Sequence, residues 1–302
     1  MPVSTKIIAN PHANRGRCAA LLPRLTATLT RLGIPFDLSV TEAPGQAVEL
    51  ARQAALEGYR RVVAVGGDGT CHEVVNGLFA ADGEATPQMG VIPAGSGNDF
   101  AHALGVPSDV EGACTVLKEG RPRPVDLGRV TVDGRPRLFA NNVGLGFDGE
   151  VTVDLRTVRH LHGFWMYLWS VFRVIASGRW PYQMTVTMGD RHFTQAVTLI
   201  TVANGTRSGG GFLLTPSARV DDGVLDVCYA DGLSKAGILA LLPRTFNGSH
   251  VTHRAITMAT IRRMQVTVPQ GVPGHVDGEL LCEAGREFTF EVLPGRLQAW
   301  RR

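Results

Sequence analysis

No stretch of this chain is apolar for long enough to cross a bilayer. The longest, Phe164 to Phe172, falls well short of the roughly 20 residues that a helical span needs. The opening MPVSTKIIAN lacks the continuous apolar segment of a secretion signal, so the protein is expected to be cytoplasmic. Cysteine is sparse. Cys18, Cys71, Cys114, Cys228 and Cys282 are scattered, odd in number and include no C-x-x-C pair, which argues against a disulfide framework or a zinc site and for reduced thiols. In such a compartment the glycosylation-like triplets at Asn204 and Asn247 carry no weight. Nor is there an excess of one charge: a formal net charge of +3 is too small to point to nucleic acid as a partner. No internal repeat or low-complexity linker is visible. At 44% hydrophobic and 19% charged residues, the 302-residue chain has the composition of a globular protein with core enough for one large domain or two ordinary ones.

Glycine is plentiful, with 36 residues, and its placement is informative. Up to about Val125, short β-like runs alternate with helical spacing: KIIAN, a helix from Cys18 to Leu32, FDLSV, a helix from Gln46 to Glu57, then RVVAV. That order predicts a parallel sheet flanked by helices over residues 1–125. From Asp126 the pattern turns to strands separated by turns, such as YQMTVTMG, FTQAVTLITVAN and MQVTVPQ, which predicts a mostly antiparallel β domain over 126–290. Only Leu161 to Ala176 reads as a helix there. Residues 291–302 are expected to return to the first domain.

The run RVVAV leads into Gly66-Gly67-Asp68-Gly69-Thr70 and then a helical stretch, CHEVVNGLF. Strand, glycine turn and helix in that order suit a phosphate: glycines with φ > 0 let backbone N–H groups approach an anion, and the helix start adds partial positive charge. Cys71, Val74, Val75, Leu78 and Phe79 form the predicted buried stripe. Glu73 and Asn76 then share a face that can border a nucleotide, with Asp68 free to engage it or Mg²⁺. A second strand, GVIP, enters Ala94-Gly95-Ser96-Gly97-Asn98-Asp99. Both loops would meet at the carboxyl ends of their strands, where such sheets bind ligands. A glycine turn alone also fits a plain strand-to-helix connection, and Asp99 could simply cap its helix.

GGDGT at 66–70 with PAGSGNDFA at 93–101 resembles the diacylglycerol kinase catalytic domain, and the similarity continues through Asn10-Pro11, NNVGLGFDGEV at 141–151, VANG at 202–205, DDGVLDV at 221–227 and HVDGE at 275–279. The resemblance implies an α/β nucleotide-binding domain like that of NAD kinases and phosphofructokinases, followed by a β-rich sandwich domain. It implies ATP at Asn10, Thr41, Gly66 to Thr70, Glu73 and Ser96. The chain departs from the family pattern around His12, Ala13 and Asn14, and carries Ser96 where Thr is common. Of the late acid pair, the resemblance makes Glu279 the general base and Asp277 its partner, holding Mg²⁺ or orienting the base; Asp277-Gly278 also fits a hairpin turn. It further implies a structural Mg²⁺ held by Asp222 and the carbonyls of Arg219 and Val224. The implied activity is transfer of the γ-phosphate of ATP to a lipid hydroxyl, most simply that of diacylglycerol, giving phosphatidic acid. A NAD kinase-like enzyme with a soluble substrate and a catalytically silent lipid- or nucleotide-binding regulator are the alternatives.

Gly144 to Gly149 also matches G-x-G-x-x-G, but no Asp or Glu stands between Leu155 and Gly189 to complete a dinucleotide site, and a turn within the β domain is the simpler reading. That acid-free stretch combines Arg156, Arg159, Arg173 and Arg179 with Phe164, Trp165, Tyr167, Trp169 and Phe172. It reads either as a core helix with arginines at its edges or as a peripheral contact with the inner membrane face. A lipid substrate at a membrane surface is the expected partner; a homodimer is compatible with the sequence and not indicated by it.

Overall fold

The computed structural model describes residues 4–80, 87–158 and 163–302, without the Phe164 side chain, so Arg159 and that ring of the basic aromatic segment lie outside the described residues. The chain forms two compact units, residues 1–125 with 295–302, and residues 126–294.

In the first unit, strands β1 (Thr5–Ala9), β2 (Asp37–Val40), β3 (Arg61–Gly66) and β4 (Gln88–Pro93) pair in parallel in the order β4-β3-β1-β2. Ile7, Ile8, Val62, Val63 and Ala64 are fully buried, as continuous apolar strands should be in a parallel sheet covered on both faces. Helices α1 (Arg17–Arg31), α2 (Gln46–Leu56), α3 (Asp68–Ala80), α4 (Asp99–Ala103) and α5 (Val110–Glu119) link them. Asp109 starts α5 by accepting from Gly112 N at 2.7 Å, an ordinary N-cap. The last residues belong to this sheet: Ala299 pairs with Met89, the Trp300 indole donates to Gln88 Oε1 at 3.0 Å, and the Arg61 guanidinium lies over the same indole. Helices α2 and α3 pack so closely that a Cβ on Gly77 would sit 2.1 Å from Val48 O.

The second unit is built from β5 (Arg121–Val132), β6 (Arg135–Phe139), β7 (Asn142–Gly146), β8 (Tyr182–Met188), β9 (Arg191–Ala203), β10 (Leu225–Asp231), β11 (Ile256–Ile261), β12 (Arg263–Val276) and β13 (Glu279–Arg301). Pairing is antiparallel along β11-β10-β9-β7-β12-β13, with β8 bridging β9 and β12 and β5 paired to β6. Alternate residues such as Met184, Val186 and Met188 fill the core, giving the half-buried alternation of strands with one covered face. This α/β unit followed by a β-rich one is the fold class expected from the sequence.

The second unit holds more helix than expected. Besides α7 (Gly163–Ser177) there are α6 (Phe147–Leu155) and α8 (Lys235–Thr245), and the three share a small core of Phe147, Val151, Val171, Val174, Ile175 and Ile238. The reading of Gly144 to Gly149 as a turn within the β domain is corrected accordingly: β7 runs directly into α6. A Cβ on Gly149 would lie 2.2 Å from Pro273 O, so these glycines let α6 approach β12. The neighbours of β7 are antiparallel, so this is not a dinucleotide-binding βαβ unit.

Gly77→Ala is expected to cost about 2–4 kcal/mol in urea unfolding, because backbone must move to admit the methyl. Gly237→Ala on α8, where the nearest atom to an added Cβ is a Leu233 side-chain carbon at 3.4 Å, is expected to be neutral or slightly stabilising.

Candidate active site

Every nucleotide-side candidate except Glu73, which lies on α3, falls at the carboxyl end of a strand of the parallel sheet. Asn10 follows β1, Thr41 follows β2, Gly66 to Thr70 close β3 and open α3, and Ser96 follows β4. The two glycine loops interlock. Ala94 N donates to Gly66 O at 2.7 Å, and a Cβ on Gly95 would lie 2.2 Å from Gly67 Cα. A Cβ on Gly66 would likewise lie 2.3 Å from Thr70 Oγ1. This corrects the reason given for these glycines, since none of Gly66, Gly67 and Gly95 has positive φ. Their missing side chains permit backbone to touch backbone. The residue that does adopt the left-handed region is Asn98, at φ 57°, whose side chain closes the second loop by accepting from Gly95 N and donating to Gly95 O.

Two acids expected to face a ligand are engaged by the protein. Asp68 is not free: its Oδ1 accepts from Phe100 N at 3.0 Å, so the first loop caps the short helix α4 that follows the second. That is the role considered for Asp99, which instead stands as the first, buried residue of α4. Glu73 accepts from Gly45 N at 3.0 Å and from Ala47 N at 3.1 Å, capping α2 from the neighbouring helix. It thereby fixes the chain just after Thr41, which is itself buried and bonded through its N–H to Ala9 O. Asn10 Nδ2 donates to Thr70 Oγ1 at 3.2 Å, and Ser96 Oγ donates to Asn14 Oδ1 at 3.2 Å, with Asn14 at φ 51°. Gly69 sits within the first turn of α3. The loop that departs from the family pattern thus still reaches the second glycine loop, through Asn14.

In the second unit, Asp277 and Gly278 form the two-residue turn joining β12 to β13, with φ of 48° and 84° and Val276 paired to Glu279. Positive φ at both central positions defines the I′ hairpin that Asp-Gly favours. The hairpin reading is therefore correct, and the turn does more. The buried carboxylate of Asp277 accepts from the N–H groups of Ala140, Asn141 and Asn142 at 3.0, 2.9 and 3.0 Å. Glu279 is exposed, with no hydrogen-bond or ion-pair partner among the described residues. Of the acid pair, one member holds backbone and the other is available.

The remaining motifs converge on the same knot. Asn204 Nδ2 donates to Asp126 O at 2.8 Å and Ala140 O at 3.0 Å, while Asn141 and Asn142 both donate to Arg207 O. Asp126 Oδ2 accepts from Gly223 N at 2.7 Å, tying in the loop of the metal candidates Arg219, Asp222 and Val224. There Asp222 Oδ1 accepts from Val224 N at 3.2 Å. Burial, reinforced by the charge of Asp222, pushes the Asp226 carboxyl up to about 6. Among the described residues no group of three or more His, Cys, Asp and Glu side chains could hold a metal ion. The all-oxygen set of Asp222 with backbone carbonyls nevertheless suits a hard cation in kind.

Sequence reasoning missed a buried polar group beside this knot. His275 Nε2 lies 2.8 Å from Asp148 Oδ2, and Tyr167 Oη donates to Asp148 Oδ1 at 2.9 Å. Burial opposes both charges, yet the attraction between the two and their hydrogen bond outweigh it, so His275 is held above and Asp148 below its ordinary pKa. Asp148 and Tyr167 also line a small apolar pocket of ≈ 80 Å³, walled by Phe147, Phe212, Leu241 and Leu242. The available signal was Asp148 itself, a carboxylate in an otherwise apolar and glycine-rich run.

The first unit carries two interlocked glycine loops on a parallel sheet, and the second a polar knot under one hairpin. Residues 4–130 match the profile of the diacylglycerol kinase catalytic domain, and residues 141–301 that of the YegS C-terminal NAD kinase beta sandwich-like domain. The chain therefore belongs to the diacylglycerol kinase catalytic-domain family. It is 31% identical to a protein named Probable lipid kinase YegS-like from Xanthomonas euvesicatoria pv. vesicatoria (strain 85-10), over 92% of this chain and 90% of the relative. With a protein named Diacylglycerol kinase from Bacillus subtilis (strain 168) it shares 29%, over 91% and 89%. The crystal structure of a diacylglycerol kinase from Bacillus anthracis str. Sterne has the same fold, with a TM-score of 0.73, 21% identity and coverage of 99% and 97%.

Replacing Asp277 by Ala leaves three buried N–H donors unsatisfied and is expected to lower unfolding free energy by about 3 kcal/mol or more. Glu279→Ala is expected to stay within about 0.5 kcal/mol of the parent. Denaturant titration of the two variants checks the contrast.

Proposed function

We propose that this protein transfers the γ-phosphate of ATP to a lipid hydroxyl, with diacylglycerol as acceptor and phosphatidic acid as product. The observation that carries the reading is the interlock of Gly67 with Gly95, which brings two anion-type loops of the parallel sheet together. Backbone N–H groups at the start of α3 and the Ser96 hydroxyl can grip the triphosphate, and the helix start favours its charge. Asn10, Gly66, Gly67, Gly69 and Thr70 shape that grip, with Thr41 bordering it. Asp68 and Glu73 keep the loops in register by capping α4 and α2.

In the proposed reaction the acceptor oxygen attacks the γ-phosphorus as the bond to the ADP oxygen breaks, in line and without a covalent enzyme intermediate. Glu279, exposed and without a protein partner, accepts the hydroxyl proton. Asp277 acts through the backbone it holds, keeping the hairpin and residues 140–142 as one rigid piece. Mg²⁺ bound with ATP would neutralise charge developing on the phosphates. A second Mg²⁺ at Asp222, with the carbonyls of Arg219 and Val224, would stiffen the loop that Asp126 already anchors. The small pocket lined by Tyr167 matches apolar groups of the acceptor in character, being apolar except for Asp148, Tyr167 and a few neutral groups at its wall.

The test is incubation of the purified protein with labelled ATP and Mg²⁺ against diacylglycerol, sphingoid bases, other lipids and NAD. Label is expected in phosphatidic acid; label in NAD alone, or in nothing, refutes the reading. Glu279→Gln is expected to fold and bind ATP while losing at least about a hundredfold in turnover, the usual weight of a general base. Turnover near the parent's would remove Glu279 from that role.

A further inference from the structure

Helix α7 presents two unlike faces. Ser170, Val171, Val174 and Ile175 are buried, the last three in the small helical core. Trp165, Trp169 and Phe172, spaced i, i+4 and i+7 on the opposite face, are 68, 51 and 46% exposed. A single exposed leucine is ordinary, but two indoles and a phenyl ring in line are not. Helix α8 contacts α7 and adds exposed Leu239 and, just past its end, Phe246.

Within these helices and the segments that flank them the charge is of one sign, while Glu150 of α6 accepts from Arg179 N at 3.3 Å. No Asp or Glu occurs from Leu155 to Gly189, and none from Gly232 to Val276. Arg173 and Arg179 lie on or just beyond α7, and Lys235 and Arg244 near the two ends of α8. The acids that approach come from outside the two stretches. Arg173 pairs with Asp154 at 3.2 Å, and Arg156 with Glu283 at 3.4 Å, both with largely exposed cations. Such pairs are weak and exchange readily for other anions.

We infer that the outer faces of α7 and α8 dock on an anionic bilayer. Trp165 and Trp169 enter the boundary between headgroups and acyl chains, where an indole can bury its ring and keep its N–H wet. Arg173, Arg179, Lys235 and Arg244 meet lipid phosphates. A second copy of the chain is the poorer occupant, because an isologous contact would set these cations against their own symmetry mates. The inference deepens the lipid-kinase reading and rests on it only for the reason that such a surface is needed.

Sedimentation of the full chain with vesicles separates the outcomes. Wild-type protein is expected to pellet with vesicles of equimolar phosphatidylcholine and phosphatidylglycerol, to pellet poorly with phosphatidylcholine alone, and to release at high salt. Trp165→Ser combined with Trp169→Ser, both at exposed positions, is expected to weaken binding about tenfold or more. The same double variant is expected to phosphorylate detergent-dispersed diacylglycerol at the wild-type rate. Indifference to phosphatidylglycerol, or equal binding by the double variant, overturns the proposal. So does a wild-type dimer that ignores vesicles and becomes monomeric in the variant, which would assign the face to a second copy. Vesicle binding without phosphorylation of any lipid supports docking while removing the kinase reading.

Discussion

The nucleotide-side half of this protein depends on the approach of Gly67 to Gly95. The loops that close β3 and β4 lie so near each other that a single methyl on Gly95 would collide with the opposing backbone. That approach puts the carbonyl of Gly66 within reach of Ala94 N and the carboxylate of Asp68 within reach of Phe100 N. Each bond satisfies a backbone group that a strand-to-helix junction would otherwise leave to solvent. The backbone at the start of α3 is thus fixed by the protein's own bonds, and under the proposed function this is the condition for electrostatic stabilisation without reorganisation.

The second unit solves a similar problem with side chains. Around residues 126, 140–142, 204–207 and 220–223 backbone groups are met by side chains, with Asp126, Asn141, Asn142, Asn204 and Asp277 supplying the donors and acceptors. Buried polar groups of this kind stabilise only as a complete set, because each lost partner strands another. The family motifs of this half are therefore largely statements about backbone satisfaction. Of the acid pair, Glu279 is the member whose side chain has no partner among the described residues.

Much of this was legible in the sequence, and the gaps have physical causes. The period-2 and period-3.6 patterns carried the α/β-then-β order, and the glycine loops marked the ends of β3 and β4. The purpose of those glycines was not legible, because positive φ and close approach demand the same residue and only coordinates tell them apart. Asp68 and Glu73 looked like ligand-facing acids because a side chain that caps a distant helix leaves no local signature. Helices α6 and α8 were missed since α6 mixes its acids with apolar residues around the axis and α8 is apolar on most sides, blurring the contrast between faces. The exposure of Trp165 and Trp169 was equally hidden, for a sequence shows that a residue is apolar and not whether the fold covers it.

Tyr167 belongs to the same helix as those tryptophans, and its hydroxyl is bonded to Asp148, whose other oxygen meets His275, two residues before the turn at Asp277. Any slide or rotation of α7 must therefore either break this part-buried bond or drag β12 with it. Mechanically the helix and the turn are two ends of one short lever. A force applied to the outer rings would be felt, through three side chains, at the carboxylate beyond the bend.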